Sequence, residues 1–250
     1  MHYISSPNLP QNKIKALLIS ETAGEAVIKE IEKRDIEPIV VHACSDIADP
    51  VSSHPDMLFH HLGENKMLYY KNADKSVIKR LSELGFEMIE SSTQLRPDYP
   101  YDIAYNSVRV GSNLLCLQKY TDKAILDYCV KEKIHIINVR QGYSKCSTCV
   151  VDESSIITAD KSIANSAYVC RIDVLTVNPG YINLKGYDEG FIGGCSGKSD
   201  RNTIIFIGDV TRHQNYSEIK SFLDKREIKI DILGDSELHD VGSIIPLLEE

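Results

Sequence analysis

Apolar positions along this chain follow two periodicities that alternate in a fixed order. In "ETAGEAVIKEIEKRDIEPIVVHA", Val27, Ile28 and Ile31 recur at helical spacing and a β-branched run from Ile36 to Val41 follows, which predicts a helix and then a strand. "HPDMLFHHLGENKMLYY" carries two short apolar runs about "GENK", the pattern of a hairpin. The next stretch, "KNADKSVIKRLSELGFEMIES", sets Val77, Ile78, Leu81 and Leu84 on one helical face, stops at Gly85 and resumes as a strand.

The same order recurs. "YDIAYNSVRVGSNLLCLQ" reads as a hairpin, "TDKAILDYCVKEK" as a helix with Thr121 at its N-cap, and "IHIINV" as a strand. A hairpin in "STCVVDESSIITAD", a helix in "KSIANSAYVCR" and a strand in "DVLTV" repeat it, as do "GFIGGCSGKSDRNTIIFIGD", "YSEIKSFLDKR" and "IKIDILG". Each unit is strand–strand–helix–strand, with a period of about 45 residues, inside the range of repeat architectures. The first unit, opening with "KIKALLIS", lacks one strand, while "VGSIIPLL" is a strand with no helix after it. Joining the two leaves no unit incomplete. Alternating α and β elements suit a doubly wound sheet, but a hairpin in every unit favours radial repetition. The expected fold is therefore a five-bladed α/β propeller of ββαβ units with pseudo-fivefold symmetry. It forms one domain over 1–250, with units at about 11–50, 51–95, 96–140, 141–186 and 187–238, and a closing strand at 239–250.

Composition narrows the partners. Hydrophobic residues make up 42% and charged residues 26%, ordinary for a water-exposed globular chain. A net charge of −8 offers no basic field to nucleic acid or to an anionic membrane, and "KEIEKR" is a mixed-sign helix face. "MHYISSPNLPQNK" has no basic start followed by an apolar run, and no apolar stretch approaches the roughly 18 residues of a span. Seven cysteines, an odd number, suit reduced thiols in a cytoplasm. No feature fixes an oligomeric state.

Four segments carry candidate chemistry. In "CSTCVVDESSIIT", Cys146 and Cys149 stand at a predicted hairpin start, where residues i and i+3 face opposite ways and lack the helix terminus that activates redox pairs. No second CxxC occurs, so neither a zinc clip nor a redox pair is expected there. "GGCSGKS" is one residue short of a phosphate loop and leads into a strand; its glycines make either a tight turn or a close backbone approach. In "SSHPDMLFHH", His54 and Asp56 share a face if a strand begins there, whereas His60 and His61 point apart, which argues against a three-histidine metal site. One period after Asp56 comes Asp102, then Cys146 and Ser147, then Gly194 to Ser196, and finally Asp240 beside His239.

Five ββαβ units closed by the carboxyl-terminal strand resemble the guanidino-group-modifying superfamily, which includes arginine and agmatine deiminases, amidinotransferases and dimethylarginine dimethylaminohydrolase. The resemblance implies a site on the pseudo-fivefold axis, with an early aspartate gripping a guanidinium, a histidine from a later unit and a cysteine nucleophile from the last. Asp56 matches that aspartate. "HD" at His239 and Asp240 stands where the superfamily has His-Cys, and "GFIGGCSG" stands where a histidine motif belongs. The expected function is thus binding of a small cationic molecule, guanidino or amine, on the axis without the standard triad. His54, Asp56, Asp102, Cys146, Ser147, Gly194, Ser196 and Asp240 would line the site, with no metal and no cofactor. A second reading is a cysteine-dependent hydrolase or transferase acting on a C–N bond, with Cys195 as relocated nucleophile and His239 as base. A third is a protein-interaction module that kept the fold and lost the pocket.

Overall fold

Hairpin, helix and strand assemble in four of the repeats into a three-stranded sheet of the same plan, in a computed structural model that describes residues 1–250. In the second repeat, Phe59–Gly63 pairs antiparallel with Lys66–Tyr70, which pairs parallel with Glu87–Ser91 after the helix Lys75–Glu83. Val108–Val110, Asn113–Cys116 and His135–Asn138 follow the same plan, as do Thr148–Asp152, Ser155–Thr158 and Asp173–Thr176. So do Ser196–Asp200, Thr203–Ile207 and Lys229–Leu233. The molecule is a mixed α/β structure of many small sheets, none of which closes into a barrel. Its helices are at most nine residues long, and none is long and apolar enough to cross a membrane.

The first sheet is completed from far away in sequence. Ile245–Glu249 lies antiparallel beside Ile14–Ser20, which in turn pairs parallel with Glu37–Val41. The strand expected from "VGSIIPLL" thus joins the sheet that lacked one, although it begins only at Ile245. Two features were not anticipated: His2–Tyr3 adds a further strand outside Ile245–Glu249, and Ile182–Asn183 pairs with Leu238–His239 as a separate two-stranded sheet.

Burial grades across each sheet. Phe59–Gly63 is buried at all five positions, whereas Glu87–Ser91 is buried only at Ser91. Apolar side chains from consecutive sheets interdigitate, so the core is a chain of clusters. Leu18, Leu68 and Leu114 share one, Leu115 and Ile156 a second, Ile157 and Ile204 a third, and Ile205 and Leu17 a fourth. Burying each such aliphatic side chain is worth about 1.5–3 kcal/mol.

Aspartates set the helix starts. Asp74, Asp122 and Asp160 each accept a backbone N–H from the first turn, at 2.7, 2.7 and 2.8 Å. Thr121, the expected cap of the second of these helices in "TDKAILDYCVKEK", is one residue early; its hydroxyl donates instead to Leu117 O at 3.1 Å. Asp122 takes the position because its carboxylate also accepts hydroxyls from Ser91 and Thr93. A second correction matters more for function. His54 and Asp56 do not begin a strand: Pro55–Leu58 is a one-turn helix with His54 at its N-cap. Pro55 supplies the reason, since its fixed φ and missing N–H suit the first helical position.

Candidate functional site

Three segments remote in sequence meet around the end of that one-turn helix. Asp56, in its first turn, accepts from Cys146 Sγ at 2.9 Å and from Ser243 Oγ at 2.8 Å through Oδ2, while Oδ1 has no partner. Cys146 lies in the turn before Thr148–Asp152, not in extended strand as the opposite-face argument for Cys146 and Cys149 had assumed. Asn106 holds that turn: Oδ1 accepts the backbone N–H groups of Lys145 and Cys146 at 2.8 and 3.3 Å, and Nδ2 lies 3.2 Å from Cys146 Sγ. Asp240 accepts N–H groups from Phe191 at 2.9 Å and Gly242 at 3.0 Å. His54 Nδ1 stands 3.9 Å from Asp240 Oδ1, and neither ring nitrogen of His54 has a hydrogen-bond partner.

Two glycines make this convergence possible. A side chain at Gly194 would overlap the Asp240 carboxylate, and one at Gly242, where φ is +70°, would overlap His54. The close-approach reading of "GGCSG" therefore holds at Gly194. Its N–H donates to Cys146 O at 2.8 Å, and its carbonyl accepts Val241 and Ser243 N–H at 3.0 and 2.8 Å.

Burial dominates the electrostatics. Desolvation lifts Asp56 to about 6 against the pull of Lys145, and lifts Asp240 to about 7, the neighbouring Asp56 charge adding to the rise. His54 falls to about 3 through burial and the proximity of His239, so it is neutral at physiological pH and forms no ion pair with Asp240. Burial pushes the Cys146 thiol well above its ordinary range, the Asp56 and Asp240 charges adding to it, and pushes Lys145 down. Two buried carboxyl groups thus feel Lys145, whose own charged form burial disfavours. The arrangement favours a further positive charge.

A cavity of about 70 Å³ opens onto the group, floored by His54, Cys146 and Asp240 and walled by Val51, Tyr143, Leu184, Tyr187, Glu189 and Phe191. That is room for several waters or the head of a small molecule. Tyr143 and Phe191 stack obliquely with centroids 6.1 Å apart, and the Tyr143 hydroxyl donates to Asp102 Oδ2 at 2.6 Å. A second cavity of about 180 Å³ shares Glu189 and Phe191 with the first and is also lined by Ser147 and His213.

Of the residues anticipated from sequence, His54, Asp56, Cys146 and Asp240 come together, and Gly194 backs them. Asp102 stands behind Tyr143 and does not face the other two aspartates; its pKa is raised by burial with Asp98, not Asp56, as the neighbouring charge. Ser147 faces the second cavity, and Ser196 opens the strand Ser196–Asp200 with its hydroxyl on Gly193 O at 3.4 Å. His239 is half-buried beside the cavity without lining it. Cys195 needs correction as nucleophile: its thiol donates to Ile192 O at 3.3 Å within an apolar cluster with Ile204 and Phe206, and burial drives its pKa well above the ordinary value. Cys149 belongs to that cluster too, so the two thiols of "CSTC" do face different surroundings. Asn106, Tyr143, Lys145, Glu189, Phe191 and Ser243 were not foreseen. Only Lys145 carried a signal, a lysine flanked by small polar residues and cysteine in "SKCSTC".

Comparison with known proteins follows the fold. An amidinotransferase of the saxitoxin biosynthetic pathway from Microseira wollei superposes with a TM-score of 0.60 at 11% identity, over 93% of this chain and 91% of its own. The agmatine deiminase of C. jejuni gives 0.55 at 12% identity, covering 92% and 90%. The inosamine-phosphate amidinotransferase of Streptomyces griseus gives 0.56 at 10% identity, covering 96% and 97%. The fold is that of the guanidino-modifying enzymes. No curated protein matches the chain in sequence. The model of a family of unknown function (DUF6873) matches residues 18–245, and the chain belongs to that family.

Proposed function

We propose that this protein is a five-bladed α/β propeller that binds a small cationic molecule, bearing a guanidino or amine group, in the cavity over Asp240. The propeller reading is supported by the cyclic order of the apolar clusters, in which the fifth large sheet packs back on the first through Ile205 and Leu17. The binding reading rests on one observation above all: Asp240 is a buried carboxylate at the floor of a cavity and is held to about 7. A cation there restores the charge that burial suppresses, and the aromatic lining of Tyr143, Tyr187 and Phe191 favours a planar, weakly hydrated cation such as guanidinium. Glu189 at the wall offers a second anion. The cavity itself counts against a pocketless interaction module, and the seven free cysteines support a reducing, cytoplasmic setting. Thermal-shift titration with guanidino compounds and amines tests the reading. A rise in midpoint that disappears in Asp240→Asn is expected; no rise across the panel would reject it.

A second reading is favoured by the 2.9 Å contact between Cys146 Sγ and Asp56 Oδ2. In it Cys146, not Cys195, attacks the carbon of a bound guanidinium. The thiol proton passes to Asp56, the S–C bond forms, and the leaving amine takes that proton as the C–N bond breaks. Water or an acceptor amine then releases the S-bound group. The bound cation supplies the positive charge that an otherwise suppressed thiolate needs. Ammonia or amine release lost in Cys146→Ala but kept in Cys195→Ala is the expected pattern; release that survives Cys146→Ala excludes the mechanism.

A further inference from the structure

We propose that His54, Cys146 and Asp240 form a three-ligand site for a divalent transition metal of the zinc or cobalt type, with its fourth position open to the cavity. The ligand atoms of these three residues, one nitrogen, one sulfur and one oxygen, all lie within 4.8 Å of one another. Ligands on a tetrahedral zinc stand about 3.3–3.6 Å apart, given Zn–S of about 2.3 Å and Zn–N or Zn–O of about 2.0 Å. The His54–Asp240 separation of 3.9 Å is already close to that.

A second observation is independent of this proximity. His54 is 1% exposed, and neither of its ring nitrogens has a partner. Buried polar groups are nearly always satisfied, and a metal at Nδ1 supplies a partner for one of the two nitrogens. The donor set selects among ions. Imidazole plus thiolate suits zinc or cobalt, whereas calcium and magnesium require oxygen ligands throughout. Charge closes as well: the thiol proton passes to Asp56, 2.9 Å from the sulfur, and a divalent ion offsets the resulting Cys146 thiolate and the Asp240 carboxylate. The outer partners are in place, since Asn106 Nδ2 approaches the sulfur and the Phe191 and Gly242 N–H groups hold the carboxylate. Cys149 takes no part, so the exclusion of a clip within "CSTC" stands beside this site without conflict.

The metal uses the same residues as the proposed ligand site but does not depend on that ligand, and the two cations exclude each other at Asp240. Cobalt(II) titration of the chelator-stripped full chain, followed by absorption, tests it. One equivalent should bind, with tetrahedral ligand-field bands and a thiolate-to-cobalt charge-transfer band in the near ultraviolet. Cys146→Ser should abolish the charge-transfer band, His54→Ala should weaken binding tenfold or more, and Cys170→Ser should change neither. Should Cys146→Ser fail to fold, zinc-induced thermal stabilisation of wild type, lost in Asp240→Asn, supplies the same answer. Absence of stoichiometric binding by folded wild type overturns the proposal, as does a charge-transfer band that survives Cys146→Ser. A cobalt spectrum without any response to guanidino compounds removes the ligand reading alone; the converse removes the metal alone.

Discussion

Asp240→Asn should make the protein less stable than wild type in mild acid and more stable in mild base, so that the two stability profiles cross. Asp240 sits at about 7 against an ordinary 3.8, chiefly because it is buried. Below 3.8 the group is protonated in folded and unfolded chains alike and contributes no pH dependence. Between 3.8 and 7 the unfolded chain ionises while the folded chain keeps its proton, so stability falls as pH rises; above 7 the loss is complete. At about 1.4 kcal/mol per pH unit, the full loss is about 4 kcal/mol. Asp56 adds a loss of the same sign between 3.8 and about 6, and the two carboxylates titrate as a pair. The asparagine removes the Asp240 part but leaves one of the Phe191 and Gly242 N–H groups facing an amide, at a cost of about 1–3 kcal/mol. At pH 4.5, where wild type has lost only about 1 kcal/mol, the variant should be up to about 2 kcal/mol less stable. At pH 8 it should be about 1–3 kcal/mol more stable. Urea unfolding with chelator at both pH values, at constant m, measures the difference. If the midpoints of the two proteins differ by the same amount at both pH values, Asp240 is not the dry carboxyl inferred here.

Three further outcomes are expected. Deleting Val241 to Glu250 removes the neighbour of Ile14–Ser20 and bares a long apolar edge, so the product should aggregate; a monodisperse, cooperatively unfolding truncation on size-exclusion chromatography would contradict the strand exchange. Asp122→Ala loses a helix cap and strands the hydroxyls of Ser91 and Thr93, costing about 2–4 kcal/mol, whereas Thr121→Ala should cost about 1 kcal/mol or less; chemical denaturation of both variants tells whether the ranking is right. Gly194→Ala drives a methyl against the Asp240 carboxylate on a backbone bonded at both N–H and C=O, and should cost about 1–3 kcal/mol while lowering affinity for any cation; unchanged stability and unchanged cobalt binding would mean that the segment yields freely.

What was legible beforehand was what repeats. Helical and strand periodicities recur along the chain, so the sheet plan and the joining of "VGSIIPLL" to "KIKALLIS" could be read from pattern and from incompleteness. The site was legible only through register. Counting one period at a time from Asp56 reached Cys146 and Asp240 but also reached Asp102, because periodicity gives a position in the repeat and not the direction of a side chain. Tyr143 intervenes and takes the Asp102 carboxylate for itself. Cys195 misled for a related reason: glycine neighbours give a thiol room, yet packing turned it toward Ile192 O. Asn106 and Ser243 act through hydrogen bonds between remote segments, which leave no trace in spacing.

The pairing of Ile245–Glu249 with Ile14–Ser20 has a consequence for how this molecule comes into being. Asp240, Gly242 and Ser243 belong to the segment leading into that strand, so they are synthesised after the helices and strands of all five repeats. The contact spans almost the whole chain, and contacts of such sequence separation form late because loop-closure entropy opposes them. Cys146 therefore spends the nascent and early folding stages without Asp240 beside it, in a chain that can already form most of its sheets. Assembly of the cluster and closure of the first sheet become one kinetic event, and any binding that needs both Cys146 and Asp240 waits for completed folding.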